Sequence, residues 1–415
     1  MVNRSVAVDL PLQGMRVIDL TWYTSGPFCT RVLADYGADV IKIERVGVGD
    51  PARSMPPFQD DEPGLERSGL FMFLNTNKRS VTLNLKDMEG RDILLDLIRG
   101  ADALVENFSP RILPGLDMDY QSLKAINPRL VVTSISNFGR NGPYRDWNGS
   151  ELVLYGMGGP MLNTGSPDRE PLKTAGHTPS FQVGAMAATA TAIALWGSGA
   201  NGRGEHVDVS YLETFMGLVD RRTTNLVNYE YAGDISTRPP LANSSGTGIW
   251  PTKDGGYFYT TVVAARWAAM ARMIGQDGLA NDPEWNDPVW RSAPDRIDEF
   301  GALVISWMIE RTKTEIRAAV EEARVYGAPI NTIADVLRDE HLLERRFFQE
   351  LNHPTTGPLT FPGYNFRITT TIDGEAALPP RLRAPLLGEH TDEILHDDLG
   401  LTTDNIEALR VKGVV

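Results

Sequence analysis

The sequence predicts an α/β protein with a large Rossmann-like domain and a smaller α+β domain. Through residue 140, short apolar runs alternate with amphipathic stretches, the pattern of a parallel sheet with crossover helices. The 415 residues exceed what one hydrophobic core holds, roughly 250–300. A Pro- and Ser-rich stretch, TRPPLANSSGTG at 237–248, interrupts the pattern, and strand and hairpin signals follow it. These observations divide the chain into a large domain over 1–225, a small one over 226–330, and a linker and C-terminal segment over 331–415 that returns to the large domain.

The elements read in order. GMRVIDL at 14–20 is a buried strand, GPFCTRVLADYG at 26–37 a helix opened by Gly-Pro, and ADVIKIE at 38–44 a second strand. Proline suits a first helical turn because its missing N–H would be unpaired there. SVTLNL at 80–85, the helix at 88–100 with Ile93, Leu94, Leu97 and Ile98 on one face, and the strand ADALVENF at 101–108 continue the alternation. A helix and strand at 120–139 complete it. From 151 to 225 the reading is mostly helical, with a short strand in GRGEHVDVS. In the small domain Asp254-Gly255 marks a hairpin, and helices are expected at 266–275, 295–310 and 312–326. Strands near 359–370 and a last helix in 385–401 close the chain.

Asp and Glu outnumber Lys and Arg by 54 to 40, a formal charge of −14, which disfavours nonspecific attraction to nucleic acid or anionic lipid. The longest apolar run, AMAATATAIALW at 185–196, falls short of the roughly 18 residues a membrane span needs. Cys29 is the only cysteine, so no intrachain disulfide or cysteine metal cage forms. The six histidines make no metal-ligand pattern. A cytoplasmic protein that binds neither nucleic acid nor membrane is expected.

Candidate sites gather where strands end. Glu44 follows Gly26 by the spacing of a ribose-binding acid, but TWYTSGPFC at 21–29 lacks the glycine pattern of a dinucleotide loop. Lys42 with Arg45, and Lys78 with Arg79, are basic pairs that suit a polyphosphate ligand, and Asn107 in ENFSPR offers a side-chain amide. HTPSFQVG at 177–184 holds His177 and Ser180 ahead of the alanine-rich helix. Ser180 has no nucleophile-elbow context and reads as a helix cap, while His206, between a glycine turn and a strand, reads as structural.

The segments PLQGMRVIDLT, GPFCTRVLADYGADVIKIER, NTNKRSVTLNLK, VENFSP, SNFGRNGPYRDWNG, GRGEHVDVS and RAPLLGEHTDEIL together resemble the family III CoA-transferases. That group includes the formyl-CoA and carnitine enzymes and the alpha-methylacyl-CoA racemases. The resemblance implies two chains interlocked as rings in a homodimer, with a CoA thioester and a carboxylic acid as substrates and no tightly bound cofactor. It places Tyr23 and Thr24 at the thioester end, Arg45 and the Asn75–Arg79 segment (Asn75, Lys78 and Arg79) toward the nucleotide, and Asn107 and Phe108 along the pantetheine arm.

The family's reaction is a relay through an active-site aspartate, which forms an acyl anhydride and then an enzyme–CoA thioester. That aspartate falls four residues before Gly184, where this chain has Ser180. The racemase histidine falls at Ser150, followed by Glu151. The resemblance therefore implies CoA transfer with Ser180, Glu151 and His177 as catalytic candidates. An acyl-CoA isomerase, racemase or lyase using Glu151 and His177, and a non-catalytic CoA-binding subunit, are the alternatives. Trp22, Tyr23 and Trp250 are candidates for an acyl pocket, Arg221 and Arg222 for a carboxylate site, and SSGTG at 244–248 for a closing loop.

Overall fold

The computed structural model describes residues 10–217, 221–235, 238, 245–368 and 380–415, and the side chains of these except 221–224. Near-continuous runs of buried residues build the central sheet: β1 (Arg16–Leu20), β2 (Asp39–Glu44), β3 (Lys78–Thr82), β4 (Ala103–Glu106), β5 (Val131–Ser136) and β6 (His206–Ser210). All pair in parallel, in the order β3-β2-β1-β4-β5-β6. This is the order of doubly wound nucleotide-binding folds, and its switch point lies between β1 and β4.

Because side chains alternate along a strand, the sheet has two apolar faces. Ile18, Ile41, Val81 and Leu104 pack with the helices Met88–Arg99, Thr391–Asp397 and Thr403–Val411. Val17, Val40, Val105 and Val131 pack against Ser25–Asp35 and Thr178–Asn201. The alanine-rich stretch, expected to be too short for a membrane span, belongs to a 24-residue helix that is long and apolar enough by composition. Its Val183, Ala187, Ala188 and Leu195 lie in the core on the sheet.

The chain divides into two compact units, one of Met1–Met161, Lys173–Ile235 and Arg346–Val415, the other of Leu162–Leu172 and Ser236–Arg345. The first contains the six-stranded sheet and the hairpin β10 (Phe348–His353) and β11 (Gly357–Pro362). The second carries an antiparallel sheet of β7 (Gly248–Pro251), β8 (Tyr257–Thr261) and β9 (Tyr326–Ile330). Phe258, Trp267 and Phe300 centre its core. His206 pairs its Nε2 with Ser134 Oγ at 3.0 Å and stacks on Tyr120.

Charged side chains are buried inside the first unit. The registers Asp19↔Lys42 and Val40↔Lys78 bring Asp19, Lys42 and Lys78 onto neighbouring strands. Lys78 Nζ lies 3.0 Å from Asp19 Oδ2, Lys42 Nζ lies 2.8 Å from Asp50 Oδ2, and all four side chains have 0% exposure. Lys78 also donates to Thr30 Oγ1, Asn75 Oδ1 and the Pro27 carbonyl. Burial alone would raise the Asp19 carboxyl, but Lys42 and Lys78 outweigh it and hold it at about 2. Burial pushes Lys78 down to about 8 despite Asp19.

Lys78→Met removes the nearer of the two cations facing this carboxylate, leaving Lys42 at 3.9 Å, and is expected to cost about 3 kcal/mol in urea unfolding. Since Asp19 titrates lower in the folded than in the unfolded chain, its stabilising contribution is complete above about pH 4. It should disappear as pH falls through about 2, a loss that acid-unfolding curves of parent and variant will separate.

Candidate active site

The loop after β1 is set by that charge network. Asp50, paired with Lys42, accepts the Tyr23 N–H at 3.0 Å through its other oxygen. Trp22 and Asn107 exchange two bonds of 2.8 Å, from the Trp22 N–H to Asn107 Oδ1 and from Asn107 Nδ2 to the Trp22 carbonyl. These anchors hold Tyr23 at φ 67°, a left-handed conformation that a side chain disfavours. The Tyr23 ring is consequently displayed, 52% exposed, at the switch point of the sheet.

Two cavities open there. The larger, about 1030 Å³, runs between the ends of β1, β2 and β4 and includes Trp22, Arg45, Leu83, Lys86, Asn107 and Phe108 in its wall. Trp22 meets Phe108 edge to face, and the Arg45 guanidinium sits over the Trp22 ring at 4.7 Å. The smaller, about 570 Å³, reaches Thr24, Arg145, Glu151, His177, Ser180 and Tyr211. Tyr23, Asn107, Phe108 and Ser109 line both.

The end of the smaller cavity is polar. Ser150 caps the helix Glu151–Met157, so Glu151 opens that helix with its carboxylate toward the start of the long helix Thr178–Asn201. Glu151 Oε2 accepts the Ser180 N–H at 3.1 Å and a short bond from the Ser180 hydroxyl. Oε1 pairs with Lys173 Nζ at 2.8 Å, and Lys173 also donates to the Thr174 and Gly176 carbonyls. Tyr211 donates its hydroxyl to Ser180 Oγ at 3.3 Å. Burial pushes the Tyr211 phenol up, with Ser180 and Ser25 opposing, so it stays protonated at neutral pH. The long helix comes this close because residue 184 is glycine: a Cβ there would sit 2.5 Å from the Ser25 carbonyl.

Of the residues expected from sequence, Tyr23, Thr24, Arg45, Asn107 and Phe108 line the cavities, as do Ser180, Glu151 and His177. Asn75 and Lys78 do not; both are buried and bonded to each other, with Lys78 neutralised by Asp19. Arg79 pairs with Asp39 at 2.6 Å and with Glu393 at 3.1 Å. All three have charged or polar partners within the protein, and none lines either cavity. Glu44 pairs with Arg53 at 2.7 Å rather than standing free for a ribose. Trp250 belongs to the core of the second unit, donates to Thr260, and lines neither of these two cavities. The described part of the SSGTG segment, 245–248, is buried there too, not a free loop. Ser244 and the side chains of Arg221 and Arg222 lie outside the described residues.

Lys86, Arg111, Lys173 and Tyr211 were not singled out by sequence. Lys86 follows a predicted strand end and Arg111 follows ENFSP, so the strand-end rule that chose Arg45 applies to both. Lys173 and Tyr211 had no such signal, since their partners are distant in sequence.

Residues 12–391 match CoA-transferase family III. The chain belongs to that family. It is similar to a formyl-CoA:oxalate CoA-transferase of Bradyrhizobium sp., 33% identical over 97% of both chains. It also resembles the Succinyl-CoA--D-citramalate CoA-transferase of Chloroflexus aurantiacus, 30% identical over 98% of both chains. A crystal structure of a CaiB/BaiF family protein from Brucella suis superposes with a TM-score of 0.80 at 29% identity, covering 94% of this chain and all of that one. As a family III CoA-transferase, the protein is an enzyme that moves CoA between an acyl-CoA and a carboxylic acid.

Asn107→Leu removes both bonds of the Trp22 clamp. It should cost about 1–3 kcal/mol in urea unfolding and speed hydrogen exchange at the Trp22 and Tyr23 amides.

Proposed function

We propose that Glu151 is the carboxylate through which this CoA-transferase passes its acyl group and its CoA. The observation that carries the reading is the pair of bonds from Ser180 to Glu151 Oε2. Position 180 is where the family resemblance sets the aspartate, and here a carboxylate from another helix lies against it. Moving the acid from one helix to a neighbour leaves it at the same cavity.

In this reading the nucleotide end of the CoA ester lies in the larger cavity near Arg45 and Lys86. The pantetheine arm passes Tyr23, Asn107 and Phe108, and the thioester faces Glu151 in the smaller cavity. A Glu151 oxygen bonds to the thioester carbon, the C–S bond breaks, and CoA leaves as thiolate. The thiolate then attacks the Glu151 carbonyl of the anhydride and releases the donor acid as carboxylate. The acceptor carboxylate attacks the resulting Glu151–CoA thioester and frees the thiolate again. A last attack of thiolate on the acceptor's carbonyl restores Glu151. Each step exchanges one anion for another and conserves acyl activation. No proton is transferred, so His177 needs no acid–base task.

A serine nucleophile is disfavoured because a serine ester is a poorer acyl donor to thiolate than an anhydride. For the acceptor we propose a small dicarboxylic acid. Arg145 lines the smaller cavity; its Nε makes no hydrogen bond and lies 3.8 Å from Asp146 Oδ1, an oxygen that Arg111 already bonds at 2.8 Å. The named relatives take oxalate and citramalate, both dicarboxylates. An interlocked homodimer and a cytoplasmic location complete the reading, on the family resemblance and the single buried Cys29.

Glu151→Gln should reduce CoA exchange between a labelled acyl-CoA and a free acid by at least about 10³-fold, with CoA affinity by calorimetry retained. Mass spectrometry should find the CoA adduct on a peptide containing Glu151. The double variant Glu151→Gln with Ser180→Asp returns the acid to the family's position and should regain activity. An adduct on any other residue, or an active Glu151→Gln enzyme, overturns the assignment.

A further inference from the structure

We infer that Ser180, standing where the family's nucleophile belongs, acts as a catalytic hydrogen-bond donor for the acyl oxygen in the two steps at the substrate's own acyl carbon, the first attack on the donor thioester and the last attack on the acceptor's carbonyl. The inference rests on the Glu151 reading and adds a second chemical role to the same site.

Ser180 is the third residue of the long helix, so its backbone N–H is among those the helix leaves without an internal partner. His177, just before the helix, supplies no side-chain cap. The Ser180 N–H and hydroxyl instead converge on one oxygen, Glu151 Oε2. They satisfy that oxygen while it carries charge. Once Oε2 bonds to an acyl carbon, its charge moves to the carbonyl oxygen on that same carbon, one bond angle away. Two donors already converging on Oε2 then have the new oxyanion as their nearest strong acceptor. Donors placed in advance at developing charge are among the largest contributions to acyl transfer.

An aspartate at this position brings no hydroxyl donor, so the arrangement belongs to the Ser/Glu combination. Tyr211 makes it directional. Its phenol donates to Ser180 Oγ at 3.3 Å, which leaves the single Ser180 proton to point at Glu151. Tyr211 is a positioning residue and Ser180 a catalytic one. The atoms balance without further groups: Ser180 keeps its proton throughout, and only the acceptor of its hydrogen bond changes.

The test compares Ser180→Ala, Ser180→Thr and Tyr211→Phe with the parent in the labelled CoA-exchange assay. Removing the hydroxyl is expected to lower kcat by about 10²–10³-fold, with KM for acyl-CoA, calorimetric CoA affinity and thermal midpoint unchanged. A merely structural role would not divide kcat from KM in this way. Ser180→Thr keeps a hydroxyl and should recover most of kcat, and Tyr211→Phe should fall between. Ser180→Ala with kcat within about threefold of the parent overturns the role, as does a Ser180→Thr enzyme no better than Ser180→Ala. An active Glu151→Gln enzyme carrying its acyl group on Ser180 overturns the Glu151 reading instead.

Discussion

The buried charge cluster of Asp19, Lys42, Lys78 and Asp50 is the interaction on which the site depends. A lysine with no exposure is costly unless its charge is matched, and each lysine here meets a carboxylate at 3.0 Å or closer. Matching has a structural consequence beyond neutrality. Asp50 must stay beside Lys42, and its second oxygen then fixes the Tyr23 amide. The left-handed Tyr23 and the displayed ring follow from that anchor. Lys42, one of the basic strand-end residues, thus acts one layer below the surface, fixing the loop that borders both cavities.

An acidic chain that handles a polyanionic substrate faces a general difficulty, because its net field opposes approach. The larger cavity is locally more basic than the chain as a whole. Arg45 and Lys86 line the larger cavity, while acids nearby are tied up: Glu44 with Arg53, and Asp146 with Arg111. The apolar walls contributed by Trp22, Leu83 and Phe108 lower the dielectric around those cations and strengthen them. Placement at the switch point between β1 and β4 is what brings the two loops together, since their crossover connections leave on opposite sides there.

At the polar end of the cleft, a carboxylate from one helix meets the start of another. A helix start leaves N–H groups that need an acceptor, and an aspartate within that helix supplies one. In this chain Glu151 supplies it from a neighbouring helix, held on its other side by Lys173. Glutamate is longer than aspartate by one methylene, the reach that such a crossing requires. Gly184 permits the approach by letting the long helix touch the Ser25 carbonyl.

Much of this was legible in the sequence. The alternation of apolar runs determined the parallel sheet, and the strand ends pointed to Arg45 and Asn107 at one edge, because strand polarity puts every such loop on the same side; the family resemblance added Tyr23. Missing the aspartate was also legible, as was Glu151 as a candidate. Tertiary structure alone decided which charges face inward: Lys78 and Arg45 both sit near strand ends, and only packing shows that one is enclosed by Asp19 and the other borders a cavity. It likewise decided that Trp250 is core and that Ser180 and Glu151, 29 residues apart, share a hydrogen bond. Local pattern records the period of a strand or helix; which distant side chains touch depends on how those elements pack, and no period encodes that.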